Sequence, residues 1–175
     1  FLDLFDKISI KKAPDNIVRI IGPFEKTLDS SGGESLIKRT LLLFQEQNIT
    51  TDNFNVLLEK NIPVSAGLGG GSSNSATIIR YLMKYGCCND KNKIQKLAKS
   101  LGADVPACLY SKPVLMSGIG EKLRFIEIKN DLDIGVVLIN PNFQLSTKDV
   151  FTNLKLTKKK IKKEKFLEIN NLNEF

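Results

Sequence analysis

The chain has 175 residues, 42% of them apolar and 26% charged, with a formal net charge of +7. That length and make-up suit a globular protein with one sizeable domain, or one domain and part of a second. Eighteen apolar residues never occur in a row, which argues against a membrane span, and histidine is absent, which removes the commonest general base and metal ligand together. Acid–base chemistry must then fall to carboxylates or amines. Cys87, Cys88 and Cys108 lack any C-x-x-C spacing and read as reduced, structural thiols. The amino end, FLDLFDKISI, carries acids where a cationic leader would stand, so a cytoplasmic location is expected. A start at Phe1 and a stop at NNLNEF predict that the sequence is part of a longer chain.

In chain order, DKISIK (6–11) alternates as a strand does, with Ile8 and Ile10 on one face. NIVRII (16–21) is a second β-branched run, ended by Gly22 and Pro23. From Ser31 to Asn48 the period changes to that of an amphipathic helix: Leu36, Thr40, Leu43 and Gln47 share one side, with Ile37, Leu41 and Phe44 beside them. NFNVLLE (53–59) predicts a strand that turns Phe54, Val56 and Leu58 inward. Helices follow at 75–85, through Ala76, Ile79, Leu82 and Met83, and at 91–101, with Gly102 as the C-terminal glycine. Residues 113–117, 121–128 and 134–139 are strand candidates, with the GIG of 118–120 as a turn, and a lysine-rich helix is expected from about Lys148. Strands and helices mix without strict alternation, which predicts an α+β fold rather than a doubly wound sheet.

Between the strand at 53–59 and the helix after it lies NIPVSAGLGGGSSNSAT (61–77). Glycine is costly to order, so its crowding here implies that something must approach the backbone closely. A helix start offers unpaired amides and the positive end of the helix dipole, and glycines ahead of it let the chain wrap a phosphate. Ser72 and Ser73 add hydroxyls, either of which could cap the helix, and no acid lies between Gly67 and Ser75. A polyphosphate is the expected visitor. A Walker loop is excluded because no lysine follows the glycines, and a dinucleotide fingerprint fails because Ser72 or Asn74 stands where its last glycine belongs. Downstream, Asp104 precedes Pro106 by two residues, at a break in the chain. By spacing it is either an N-cap, with Pro106 in the next helix's first turn, or a carboxylate turned toward the ligand.

PVSAGLGGGSSNSAT (63–77) resembles the ATP loop of the GHMP kinases, P-x-x-x-G-L-G-S-S-A-A. Its G-L-G-G-G-S-S form is most similar to a branch acting on a cytidine diphosphate-linked alcohol. LGADVP (101–106) resembles that branch's second motif, FLDLFDKISI the segment after its substrate-binding amino end, SGIGEKL (117–123) its strand turn and STKDVF (146–151) its cytidine-side element. The resemblance implies a two-domain α+β kinase: a GHMP-type N-terminal ATP-binding domain over 1–147, lacking its first strands, and the start of a C-terminal domain over 148–175. It implies ATP with Mg²⁺ as cofactor, bound by Pro63, Val64, Ser65, Ala66, Gly67, Leu68, Gly69, Gly70, Gly71, Ser72 and Ser73. Phosphoryl transfer asks mainly for positioning and charge neutralisation, and the resemblance makes Asp104 the base that takes the substrate hydroxyl's proton. Lys60 matches a position close to the nucleotide, or is a surface lysine ending a strand. Phe151 matches an aromatic that stacks on cytosine, a contact contributing roughly 1–3 kcal/mol, or is ordinary core. The family's P-A-K-[LI]-N lysine and its third glycine motif are not in this sequence, so little activity is expected of these residues alone. Ser75 stands where the motif has alanine, and Ser35 where the earlier helix has asparagine. Mevalonate- or homoserine-type substrates are the alternative within the family. A basic nucleic-acid module built on KLTKKKIKKEKF (155–166) is the alternative outside it, though that run lacks interleaved aromatics and reads as a solvated helix face.

Overall fold

The computed structural model describes residues 3–30, 35–118, 120, 122–126, 135–140 and 152–153. The chain divides into two units, Phe1–Gln144 and Leu145–Phe175, and the elements named here belong to the first. Three strands, β1 (Lys7–Ala13), β2 (Ile17–Ile21) and β3 (Asn53–Glu59), make a mixed sheet in the order β1-β3-β2. β3 lies between its partners, antiparallel to β1 (Lys7 opposite Glu59) and parallel to β2 (Ile17 opposite Asn55). A parallel pair needs a crossover. That crossover is supplied by α1 (Glu25–Ser30) and α2 (Leu36–Glu46). α3 (Gly70–Lys84), α4 (Lys91–Leu101) and the short α5 (Val105–Tyr110) follow, then the hairpin β4 (Val114–Ser117) and β5 (Lys122–Phe125). This is the α+β architecture expected of the sequence.

One core joins these pieces. Phe54, Val56 and Leu58 on the inner face of β3 meet Ile37, Leu41 and Phe44 of α2, Ile78, Ile79 and Leu82 of α3, and Ile94 and Leu101 of α4. The alternation in β3 and the 3.6-residue stripes of the helices thus point at one another, as amphipathic elements must to bury their apolar faces. Where α2 crosses α3, two hydroxyls lie inside this core: Thr40 Oγ1 is 2.7 Å from Ser75 Oγ and 2.6 Å from the Leu36 carbonyl oxygen. A buried hydroxyl is tolerated when it is hydrogen-bonded. The serine that departs from the motif's alanine at position 75 therefore has a mate on the neighbouring helix.

The structure moves two sequence expectations and keeps a third. α3 begins at Gly70, within the glycine run, rather than at Ser75. Gly102 is the C-cap of α4, as expected, in an extended rather than a left-handed conformation (φ 169°). Gly135–Asn140, most of the expected strand at 134–139, has no regular structure, and Val137 and Ile139 are 85% and 89% exposed. Strands exist by pairing, and this segment is in neither of the two sheets. The start of the expected helix at 31–34 lies outside the described residues, as do Phe151 and the lysine run; of the helix expected from Lys148, only Thr152 and Asn153 are described, and both are helical.

Candidate active site

β3 delivers the chain to Lys60, residues 61–69 turn it, and α3 leaves at Gly70. The glycines of this turn serve two physical ends. Gly67 and Gly69 have φ of 71° and 66°, and a Cβ on either would meet nothing within 4 Å. They are needed for the left-handed backbone, and the space beside them is open. Gly70 and Gly71 instead sit where an added Cβ would meet neighbouring side chains. A Cβ at Gly70 would stand 3.2 Å from Ile62 Cγ2 and 3.4 Å from Lys60 Nζ, and one at Gly71 would stand 3.2 Å from Leu36 Cδ1. Close packing of the helix start onto Ile62 and Leu36 thus draws two of the glycines into α3.

Gly69 is the N-cap, in the left-handed conformation, with no side-chain cap hydrogen bond. This corrects the expectation that Ser72 or Ser73 caps the helix: both lie inside its first turn. The Ser73 amide donates to the Gly69 carbonyl at 2.9 Å, which leaves the amides of Gly70, Gly71 and Ser72 ahead of the helical ladder. The first turn holds no acidic residue, so the dipole there is unopposed by side-chain charge. Ser73 is exposed, and Ser65 and Leu68 reach solvent as well, while Pro63, Val64 and Ala66 are half-buried.

Ser72 brings this turn near the second motif: its Oγ lies 3.9 Å from the position a Gly102 Cβ would take. Two residues on, Asp104 is the N-cap of α5, with Pro106 in the first turn, yet its carboxylate makes no cap hydrogen bond and is exposed. The N-cap position is as spacing allowed; the carboxylate is not consumed by it. Burial pushes the Cys108 thiol up, and the nearby Asp104 charge adds to that. Two contacts hold the Asp104 turn in place. Arg80 of α3 clamps the far end of α5, with Nη1 donating to the Cys108 carbonyl at 2.8 Å and to Ser111 Oγ at 2.7 Å. Gly120, at φ 100° in the β4–β5 turn, backs onto Ala103 so closely that a Cβ would lie 2.5 Å from the Ala103 oxygen.

Lys60 is neither a surface residue nor a cation open to the loop. It is 4% exposed, and its ammonium donates to Asp6 Oδ2 at 2.8 Å and to the Ile62 carbonyl. Asp6 accepts in addition from the amides of Asn61 and Ile62 and from Asn74 Nδ2, each at 2.8 Å. Burial works to raise the Asp6 pKa, and the hydrogen bonds from Lys60, Ile62, Asn74 and Asn61 together outweigh it, so the carboxyl titrates below its ordinary 3.8. Sequence reasoning missed Asp6 and Asn74. An acid in the stretch before a strand carries no local signal, and both residues acquire their surroundings only when the amino end folds under the loop.

Beside the loop is a mainly apolar cavity of about 320 Å³, walled by Leu4, Phe24, Pro63, Ala66, Leu68 and Leu138, with Asn61 and Asn140 at its edge. Among the described residues, no three acidic or thiol side chains cluster as a metal site, and no helix is long and apolar enough to cross a membrane.

Residues 35–112, which include the glycine loop and the Asp104 turn, match the GHMP kinases N terminal domain. The chain is 37% identical over 150 residues to a 4-diphosphocytidyl-2-C-methyl-D-erythritol kinase of Chelativorans sp. (strain BNC1), covering 85% of this chain and 50% of that one. It is 38% identical over 158 residues to a protein of the same name from Clostridium botulinum (strain Loch Maree), covering 90% and 55%. The chain thus spans about half the length of these relatives. A crystal structure of 4-(cytidine 5'-diphospho)-2C-methyl-D-erythritol kinase superimposes with a TM-score of 0.55 at 31% identity, over 71% of this chain and 42% of that one. A homoserine kinase from Cytophaga hutchinsonii gives 0.57 at 19% identity, over 93% and 54%, and at that identity shares the fold alone. With the glycine loop and the Asp104 turn both inside the matched segment, residues 35–112 are a GHMP kinase N-terminal domain.

Proposed function

We propose that the protein carrying this chain is a cytoplasmic, ATP-dependent kinase that phosphorylates a hydroxyl of 4-diphosphocytidyl-2-C-methyl-D-erythritol, a step toward isoprenoid precursors outside the mevalonate route. One observation carries the reading: α3, which starts at the Gly69 cap, packs against α4 and α5, so that Ser72 of its first turn lies near Gly102, and the Asp104 carboxylate that follows is left uncapped. The named relatives supply the substrate. In this reading residues 1–147 are the nucleotide-binding domain and 148–175 open the second.

The chemistry follows from the parts. The backbone from Pro63 to Ser73 wraps the phosphates, the first-turn amides of α3 receive their charge, and Ser73 offers a hydroxyl to them or to the Mg²⁺ that arrives with ATP. Lys60 holds the loop from beneath, its ammonium already committed to Asp6. The apolar cavity beside Pro63 and Leu68 suits the flat face of a base. Asp104 takes the proton of the alcohol as its oxygen bonds to the γ-phosphorus. The bond from that phosphorus to the bridging oxygen breaks, and ADP leaves with the electron pair. A carboxylate suits this task in a chain without histidine, since the base chiefly orients the nucleophile. Phe151 stacks on the cytosine.

The test is a substrate comparison. With ATP present, the cytidyl alcohol, mevalonate and homoserine are each incubated with the protein, and ADP and the phosphorylated product are read by mass. Transfer to the cytidyl alcohol alone is expected. Equal or better transfer to either of the others would contradict the assignment. Binding of DNA or RNA is expected to be weak and to vanish with added salt.

A further inference from the structure

We infer that Asp6 is a positioning residue that fixes the span of the glycine loop, holding both its ends on one buried carboxylate so that the phosphate cup exists before nucleotide arrives. The inference rests on the nucleotide reading above and adds to it a residue outside both motifs. The Asp6 side chain is 1% exposed. Oδ1 accepts from the amides of Asn61 and Ile62, and Oδ2 from Lys60 Nζ and Asn74 Nδ2. A carboxylate has about four acceptor sites, and all are used.

The placement of the donors matters more than their number. Lys60, Asn61 and Ile62 stand just before the stretch Pro63–Ser73, and Asn74 stands just after it. Asp6 therefore brackets the whole predicted phosphate-binding segment from below. Neutralising a buried lysine would require only the Lys60 contact. The two consecutive amides and the helix-borne amide are additional, and they sit at the two ends of the loop. A loop closed in advance does not have to be ordered at the expense of ligand binding. The Lys60 ammonium, 3.4 Å from where a Gly70 Cβ would be, places this tie directly beneath the first turn of α3. Asp6→Asn would keep an oxygen for the two amides but turn an NH₂ group toward Lys60 and Asn74, which are both donors. Asn74→Ala would cut only the helix-side arm and leave the Asp6–Lys60 pair whole.

MgATP binding is measured by titration calorimetry on the wild-type protein and on both variants, well below the melting temperature of each. Amide hydrogen exchange is followed on the nucleotide-free forms. Each variant is expected to bind MgATP about tenfold more weakly, the loss expected when a hydrogen bond to a charged group is removed. Amides of residues 63–72 should exchange faster in both variants, while those of the β1–β3 ladder keep their protection. If Asp6→Asn does not fold, Asn74→Ala decides alone. A folded Asn74→Ala protein whose MgATP affinity stays within twofold, with loop exchange unchanged, would overturn the inference. Tighter binding by folded Asp6→Asn would also overturn it, since Asp6 would then be restraining a phosphate-seeking Lys60. Failure of the wild type to bind MgATP would sink the nucleotide reading, and the exchange comparison would still decide whether Asp6 pins the loop.

Discussion

Replacing Lys60 by methionine keeps the length and most of the apolar stem of the side chain and deletes its charge. In the wild type the ammonium and the Asp6 carboxylate are 2.8 Å apart, with side chains 5% and 1% exposed. Removing one partner of a buried pair typically costs about 3–5 kcal/mol, because the other charge is left uncompensated. Asp6 would retain its bonds from Asn61, Ile62 and Asn74, so the lower end, about 3 kcal/mol, is expected. For a chain of this size that corresponds to a fall in Tm of roughly 6–12 °C. The pH dependence gives the sign. The folded-state pKa of Asp6 is depressed, so its stabilisation is fully present above the ordinary value of 3.8 and is lost as pH falls through the lower folded value. Lys60→Met deletes the largest of the influences that lower that pKa and leaves the burial that raises it. The variant's deficit is therefore greatest at neutral pH and narrows as acid protonates the carboxylate. Thermal melts followed by circular dichroism between neutral pH and about pH 2, below the ordinary carboxylate range, measure both effects. A Tm loss below about 2 °C at neutral pH, which on the same scaling is under about 1 kcal/mol, or a deficit that widens on acidification would refute the reasoning.

Gly120→Ala should be costly twice over. It forces a Cβ to within 2.5 Å of the Ala103 oxygen and places an alanine at φ 100°, so a loss of about 1–3 kcal/mol in chemical denaturation is expected, with a reduced transfer rate as the Asp104 turn is displaced. A variant as stable as the wild type would show that the turn yields freely. The loop glycines should separate by role. Gly69→Ala, at φ 66° in open space, is expected to lose about 1–2 kcal/mol to backbone strain alone. Gly71→Ala meets only the mobile end of Leu36, while gaining up to about 1 kcal/mol of helix propensity, and should melt within a few degrees of the wild type. The reverse ranking would contradict the division between conformation and clearance.

Much of this molecule is legible in its residues. The ends of β3 and α4 fall where the alternation of Phe54, Val56 and Leu58 and the spacing of Ile94, Leu97, Ala98 and Leu101 put them, because both elements bury one well-defined face. The GIG of 118–120 falls between β4 and β5, as expected, and the structure adds that Gly118 and Gly120 both have positive φ. What local pattern could not supply depends on distant contacts. Gly70 and Gly71 have poor helix propensity, and that Ile62 and Leu36 stand where their side chains would go is seen only in the fold. GVVLI at 135–139 has every mark of a strand but no place in a sheet. Lys60 looks like a solvent-facing strand end until Asp6, far away in sequence, comes beneath it. In the candidate site the glycine loop and Asp104 were readable as motifs, whereas the nearness of Ser72 to Gly102, and the ties from Arg80, Gly120 and Asp6, came only with the fold.

The central claim is that α3 receives a nucleotide while Asp104 acts on the alcohol beside it. Its most direct test is Asp104→Asn, with MgATP affinity and phosphoryl transfer to the cytidyl alcohol measured on the same preparation. Affinity should stay within twofold of the wild type, and transfer should fall by roughly 10²–10⁴, the range associated with a positioned general base. Transfer at the wild-type rate would remove Asp104 from the chemistry, and loss of MgATP binding in a folded variant would assign it to holding nucleotide instead.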